Sequence, residues 1–275
     1  MVKLPNKYSS WLISETELTQ KSTKIIKVAK LLDKKFRRKS NTFLVEGENS
    51  VEACVQSNNL IELYCTKKYL TNNSKLDWIL NHSNIKINLI DEKALKKITE
   101  TENPNGLVGV SNKIVKKLEK SDLINKTFIL ILFDISDPGN LGTILRSADA
   151  FGVELVISVG NSADLESGKV VRSSAGSIFN VEIRESNLSN LIQQLEGFRG
   201  SIYQTKADAK LSIEELDLQK PAIWIFGNEA RGLADFPSNL GIDVSIPMQG
   251  KTESLNVSTA ATLCMYETAK SRSIK

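Results

Sequence analysis

The sequence predicts an α/β protein of two units, the second of them built on a parallel sheet. Three observations predict it. At 275 residues the chain exceeds the usual size of one domain, so two separate cores are expected. Apolar runs of strand length alternate with segments of helical period along the chain. In the second half several of those runs are continuously apolar and bounded by Gly, Asn or Asp, the pattern of parallel strands covered on both faces.

Residues 22–35 read as one basic helix, with Ile25, Ile26, Val28, Ala29, Leu31 and Leu32 on or near its buried stripe. A turn at Arg37–Asn41 leads into a strand at Thr42–Val45, which Glu46-Gly47 ends. A helix over 48–57, a strand at 60–65, a helix over 75–82, a strand at 86–90, a short helix over 91–98 and a strand at 107–110 complete a first unit spanning 20–112. The Lys-rich stretch that follows holds no convincing strand, so 113–126 reads as a linker. The second unit, 127–275, has strands at 128–134, 153–159, 178–183, 201–205, 222–226 and 242–246, and helices over 140–151, 166–175, 187–197 and 254–270.

Hydrophobic residues at 41% and charged residues at 25% are an ordinary soluble balance. The net charge of +4 is modest, but nine Lys or Arg stand against Asp33 alone between Lys21 and Lys39, a density suited to a polyanion or to a solvated helix face. Cys54, Cys65 and Cys264 are scattered among apolar neighbours with no C-x-x-C, which signals neither disulfide nor zinc site and fits small core residues of a reduced protein. Met1–Gln20 has no apolar core of signal-peptide length, and no run approaches a membrane span, so the expectation is a cytoplasmic protein. The single histidine, His82, falls in a polar stretch read as an exposed loop, which excludes a Ser-His-Asp hydrolase.

Three polar, Gly-containing segments follow or adjoin predicted strands: Asp134–Gly152, Ile225–Leu233 and Ile246–Ser258. Ligands of open α/β sheets bind at the carboxyl ends of the strands, and all three segments are expected at that edge. Gly227 and Gly232 permit tight turns and close approach of backbone to a ligand. Asn140 and Arg146 lie within two helical turns of one another. Glu229, in a Gly-bounded turn, suits a core poorly and can orient a polar ligand or an arginine. Each has a plainer reading too: Gly227 as a turn, Ser254 as the N-cap of the last helix, Arg146 as a surface ion-pair partner. A dinucleotide site needs G-x-G-x-x-G, which neither turn supplies; Gly250-Lys251-Thr252 ends like a P-loop, but the earlier glycine falls at Ser245.

The runs N-x-G-T-x-x-R-x-A-D-A-F-G (Asn140–Gly152), I-F-G-N-E-A-R-G-L (Ile225–Leu233) and I-P-M…E-S-L-N-V-S (Ile246–Ser258) resemble, in order and spacing, the three motifs of the SpoU/TrmH family of RNA 2′-O-ribose methyltransferases. That resemblance covers residues 127–270. Arg38–Phe43, Glu46-Gly47-Glu48…Val51-Glu52-Ala53 and Asn103-Pro104-Asn105-Gly106 resemble the family's substrate-binding domain, which is related to a ribosomal RNA-binding protein. The resemblance implies a C-terminal parallel-sheet domain with a deep trefoil knot (the SPOUT fold), preceded by a smaller α/β RNA-binding domain. It implies S-adenosylmethionine bound in the knot, largely through backbone groups of Gly227, Ile246 and Leu255, with Thr205, Asn228, Gly232 and Met248 beside them. Asn228 is a position where the family varies. Asn140, Arg146, Glu229, Ser254 and Asn256 match the catalytic set. A homodimer through the C-terminal domain is implied, with Arg146 of one subunit reaching toward its partner's cofactor. The implied partner is RNA, ribosomal rather than transfer, with no DNA, membrane or metal.

The chemistry agrees with these residue types. A ribose 2′-hydroxyl is a poor nucleophile until its proton is removed or its alkoxide stabilised, whereas a methyl sulfonium is already activated. With imidazole excluded, Arg146 serves either as an unusual base or as a phosphate anchor and alkoxide stabiliser; a guanidinium stays protonated, which favours the second. Glu229 and Asn140 would orient Arg146 or the ribose, while Ser254 and Asn256 shape the site. Under the same resemblance the basic N-terminal helix and Arg37, Arg38 and Lys39 become candidate RNA contacts. A catalytically silent knotted RNA-binding protein, and a methyltransferase acting on transfer RNA or on a base, are the alternatives.

Overall fold

The computed structural model describes residues 6–71 and 74–273. The first five residues of the stretch read for a signal core, and the last two of the second expected unit, lie outside the described residues. In chain order the elements are α1 (Thr23–Ala29), α2 (Lys34–Ser40), β1 (Thr42–Glu46), α3 (Glu48–Gln56), β2 (Leu60–Thr66), α4 (Lys67–Leu70), α5 (Ser74–Ser83), β3 (Ile87–Ile90), α6 (Glu92–Ile98) and β4 (Leu107–Asn112). They continue with β5 (Lys116–Lys117), β6 (Phe128–Phe133), α7 (Pro138–Ala150), β7 (Leu155–Val159), α8 (Gly168–Ser173), β8 (Ile183–Ser186), α9 (Leu188–Leu195), β9 (Ser201–Thr205), β10 (Leu211–Ser212), β11 (Ala222–Phe226), β12 (Ile242–Ser245) and α10 (Val257–Ser273).

The chain forms two compact units, but they interleave. The first takes the described residues up to Ile114 and also Asp164–Asn180; the second takes Val115–Ala163 and everything from Val181 onward. This departs from the linear division at 112 and 127 in three places. Residues before 20 belong to the first unit: Leu18 N donates to Leu89 O at 2.8 Å, Asp91 N returns a bond to Leu18 O at 3.1 Å, and Tyr8 is buried. The expected linker is structured, because Leu118 and Leu123 are buried in the second core and β5 pairs with β8. Third, the expected strand over 178–183 is a 3-10 turn at Ser177–Phe179 followed by β8. Ile178 and Phe179 are apolar because they serve the first unit, where Phe179 stacks on Phe43 with ring centroids 6.0 Å apart.

The first unit is a four-stranded sheet ordered β1-β4-β2-β3, with β4 antiparallel to both neighbours and β2 parallel to β3. Ile25, Val28, Leu31, Ala94, Leu95 and Ile98 cover one face, against Leu44, Tyr64, Val108 and Val110. The single helix expected over 22–35 is broken at Asp33, whose extended backbone (φ −87°, ψ 130°) caps α2 by accepting from Phe36 N at 2.9 Å. Arg37 therefore lies inside α2, not in a turn, and it is not a surface contact. It is 7% exposed, donating to Leu31 O and Leu32 O at 2.8 Å each and to Asp164 Oδ2 at 2.6 Å. Its methylenes and guanidinium complete the unit's packing, while Arg38 and Lys39 stay exposed. His82 sits at the last turn of α5, stacked on Trp78 and bonded to Trp78 O at 2.8 Å, rather than in a loop.

The second unit is an eight-stranded sheet, β10-β12-β9-β11-β6-β7-β8-β5, parallel throughout. Every residue of β6, β7 and β11 is buried, which is why these strands read as unbroken apolar runs. α10 packs along α7, with Ser147 Oγ and Thr262 Oγ1 2.8 Å apart, and Trp224 Nε1 donates to Thr268 Oγ1 at 3.0 Å. The three cysteines are free and buried; burial pushes the Cys54 thiol up to about 12 and the other two further up. No described helix is long and apolar enough to cross a membrane.

Truncating Arg37 strands the Asp164 carboxylate and two backbone carbonyls. Arg37→Ala is expected to destabilise the first unit by about 2–4 kcal/mol in chemical denaturation, and a change within 0.5 kcal/mol would refute the assignment.

Candidate active site

The three motif segments meet at the carboxyl edge of the parallel sheet, past the ends of β6, β11 and β12. The first leaves β6 through Asp134, held at φ 54°, and enters α7 two residues earlier than expected. Asp137 is the N-cap, accepting from Asn140 N at 2.9 Å, and Pro138 occupies the first turn, where a missing N–H costs nothing. Asn140 is thereby fixed in the first turn of α7 with its side chain turned toward the second segment.

The second segment is a tight turn in which Gly232 N donates to Asn228 O at 2.8 Å. A Cβ on Gly227 would lie 2.1 Å from Gly232 O, so the backbone requires glycine there, while Gly232 at φ +59° takes the left-handed conformation that favours glycine. Asn228 holds the turn: its Oδ1 accepts from Ala230 N and Arg231 N at 3.0 and 3.1 Å, and its Nδ2 donates to Asp134 O at 2.8 Å.

Glu229 is the hub. Its Oε1 accepts from Asn140 Nδ2 at 3.0 Å and Asp137 N at 3.2 Å; its Oε2 accepts from Ser136 Oγ at 3.0 Å, Ser136 N at 3.3 Å and Asn228 Nδ2 at 3.4 Å. Partial burial pushes the carboxyl up, but bonds from Asn140, from its own N–H and from the N–H groups of Asp137 and Ser136 outweigh it and hold the group at about 2. It is ionised and acceptor-only.

The third segment joins through Asn256. α10 starts at Val257, not 254, and Asn256 stands at the cap position rather than Ser254, because its Oδ1 accepts from Ser258 N at 2.8 Å and Ser258 Oγ at 2.6 Å. With Oδ1 so occupied, Asn256 Nδ2 donates to Asn140 Oδ1 at 3.1 Å. The result is one directed row of donors, Ser258 to Asn256 to Asn140 to Glu229.

Beside this row lies a cavity of about 890 Å³. Thr205, Gly227, Asn228, Gly232, Ile246, Met248 and Leu255 all line it, together with Glu229, Ser254 and Asn256. Asn140 and Arg146 are not in its wall. Arg146 is exposed on α7 and has no hydrogen bond or ion pair among the described residues, so the single chain does not bring it onto the Glu229 row. Ser254 is likewise exposed and unbonded at the cavity rim. Arg38 and Lys39 belong to α2 of the first unit. Ser136 and Ser258 escaped the sequence reading; the Asp-Pro pair after Ser136, a helix-start signal, would have drawn attention to the first of them. Phe226 and Arg231, inside the second motif run but given no role there, and Lys206, outside all three runs, also stand in the cavity wall. Among the described residues no group of three His, Cys, Asp or Glu could hold a metal ion.

A cavity closed on a parallel sheet edge by the loops after β9, β11 and β12, with the Asn140–Glu229 row beside it, is the build of an α/β group-transfer enzyme. The chain belongs to the SpoU rRNA Methylase family, which it matches over residues 127–266, and residues 22–109 match the MRM3-like substrate binding domain. It is 31% identical to the 23S rRNA (guanosine(2553)-2′-O)-methyltransferase RlmP of Bacillus subtilis, over 90% of this chain and 96% of that protein. A crystal structure of an RNA 2′-O ribose methyltransferase superposes with a TM-score of 0.81 at 29% identity, covering 94% of this chain and all of that one. The SpoU methyltransferase AviRb of Streptomyces viridochromogenes, solved in complex with AdoMet, gives 0.81 at 26% identity over 92% of this chain and 100% of its own.

Two outcomes are expected. Because the Glu229 carboxyl is depressed from 4.5, its bonds hold the loops fully above that pH and fail only as pH falls toward about 2; a side-chain carboxyl NMR titration midpoint above 4.5 would contradict this. Gly227→Ala should distort the turn at a cost on the order of 1–3 kcal/mol, lowering S-adenosylmethionine affinity roughly 10- to 100-fold by calorimetry.

Proposed function

We propose that this protein transfers the methyl group of S-adenosylmethionine to a ribose 2′-hydroxyl of ribosomal RNA. The observation that carries the reading is the cavity whose wall holds Thr205 and the cofactor-type residues of the second and third motifs, flanked by the Glu229–Asn140–Asn256 row that reaches into the first. The cavity is of the size that holds a small-molecule cofactor and has the mixed lining such a ligand needs: Phe226, Val244 and Leu255 are apolar, and Gly227, Ile246 and Leu255 lie just outside regular structure, where backbone groups can serve a ligand. S-adenosylmethionine, when bound, supplies an activated methyl group on sulfonium.

Glu229 does not act as the base: a carboxylate held at about 2 and saturated with donors takes no proton at neutral pH. It positions Asn140, whose amide orientation is dictated from both ends. Arg146 anchors a phosphate of the RNA and stabilises the developing 2′-alkoxide, since a guanidinium keeps its charge and offers several donors. Ser254 offers an uncommitted hydroxyl at the rim.

The active unit in this reading is a homodimer through the second unit, with Arg146 completing the site of the partner subunit. Its support is that Arg146 on α7 has no hydrogen bond or ion pair among the described residues, and that α10, packed along α7, exposes Leu263 at 39% and Tyr266 at 46%. The deep knot is part of the same reading; it is supported by the chain after β12 returning to the start of α7, where Asn256 meets Asn140, before α10 runs along α7. Arg38 and Lys39 contact the RNA, and the enzyme is cytoplasmic. The 23S rRNA substrate in the name of the Bacillus subtilis relative supports ribosomal over transfer RNA.

Incubation with tritiated S-adenosylmethionine and unmodified ribosomal RNA should place label on a ribose. Arg146→Ala should lower kcat/KM by roughly 100- to 1000-fold, as for loss of one oxyanion-stabilising donor. Unchanged transfer by that variant would sink the assignment of Arg146, and label on a base would redirect the acceptor.

A further inference from the structure

The two helical layers of the first unit differ in charge. α1 and α6 pack side by side on one face of the sheet, where Ile25, Val28, Ala94, Leu95 and Ile98 share one core. Their inner faces are consumed by that packing. The outer faces carry Lys24, Lys27, Lys93, Lys96 and Lys97, with Lys21 just before α1, and Glu92 is the one acid in the two helices. Lys97 Nζ donates to Gln20 O at 2.8 Å, which ties the end of α6 to the approach to α1. Lys21, Lys27, Lys93 and Lys96 have no ion-pair partner among the described residues. The other layer, α3 with α5, is not basic. Glu48 and Glu52 stand on α3 without a basic residue, Lys75 is paired with Glu52 at 3.4 Å, and Asp77 is paired with Lys7 at 2.8 Å.

We propose that the α1/α6 layer is a docking surface for the phosphate backbone of RNA, with Lys93, Lys96 and Lys97 extending across a second helix the basic run that begins at Lys21. The proposal rests on the RNA-methyltransferase reading and adds to it a helix that lies far from that run in sequence. Lys24 is paired with Glu62 at 3.6 Å, but Lys21, Lys27, Lys93 and Lys96 repel one another without an ion-pair partner among the described residues, so a polyanion laid across them gains contact with each and releases its own counterions. Lysine is suited to this: a mobile ammonium meets phosphate as a point charge and reads no base.

The test compares the full chain with two triple variants, Lys93→Gln/Lys96→Gln/Lys97→Gln on the layer and Lys67→Gln/Lys68→Gln/Lys75→Gln outside it. Binding of protein-free 23S ribosomal RNA is measured by filter retention from roughly 50 to 200 mM salt. Loss of three phosphate contacts should reduce the slope of log Kobs against log salt by about 2 to 3 in the layer variant. The control variant should keep the wild-type slope, and S-adenosylmethionine affinity should be the same in all three proteins. A wild-type slope in the layer variant, or an equal fall in the control, overturns the docking surface. If the wild-type protein nevertheless methylates the RNA, only this surface is lost; a wild-type protein that retains no RNA at the lowest salt removes both readings.

Discussion

The ionised carboxylate of Glu229 is the constraint on which the site depends. It accepts bonds from residues of the β6–α7 connection and from its own turn, so two of the three loops are fixed against one charge. Because a carboxylate can only accept, every neighbour must present a donor, and that requirement propagates. It turns the Asn140 amide one way, which leaves Asn140 Oδ1 to receive Asn256, and Ser258 closes the row from the third loop. A protonated or amidated residue at 229 would break the directionality of the whole row. The same hydrogen bonds that organise the loops also hold the Glu229 carboxylate ionised.

Those loops meet because the sheet beneath them is parallel. Parallel strands deliver all their carboxyl ends to one edge, and burial of β6, β7 and β11 on both faces gives that edge a rigid base. The glycines do the remaining work locally. Gly227 lets two strands of the turn come within contact distance, which opens wall area for a ligand instead of side chain.

Elements with a single packing role were legible in the sequence. The three central strands of the second unit appear where unbroken apolar runs lie, and Thr205 with the residues of the second and third motifs expected at the cofactor line a single cavity. What was not legible depended on tertiary partners. Ile178 and Phe179 look like strand residues, yet they are apolar for the sake of a different unit. Arg37 looks like one more charge in a basic run, but two carbonyls and Asp164 enclose it. Asn256 rather than Ser254 occupies the cap position of α10, since either type caps well and only the backbone path decides. Lys93, Lys96 and Lys97 gain meaning only when α6 is set beside α1.

The excursion of Asp164–Asn180 into the first unit has a consequence for the order of assembly. Phe179, which stacks on Phe43 in that unit, is encoded after β6, α7 and β7 of the other. During synthesis the N-terminal half therefore emerges from the ribosome without part of its own core. It must wait, partly open, until the growing chain has already committed three elements to its neighbour.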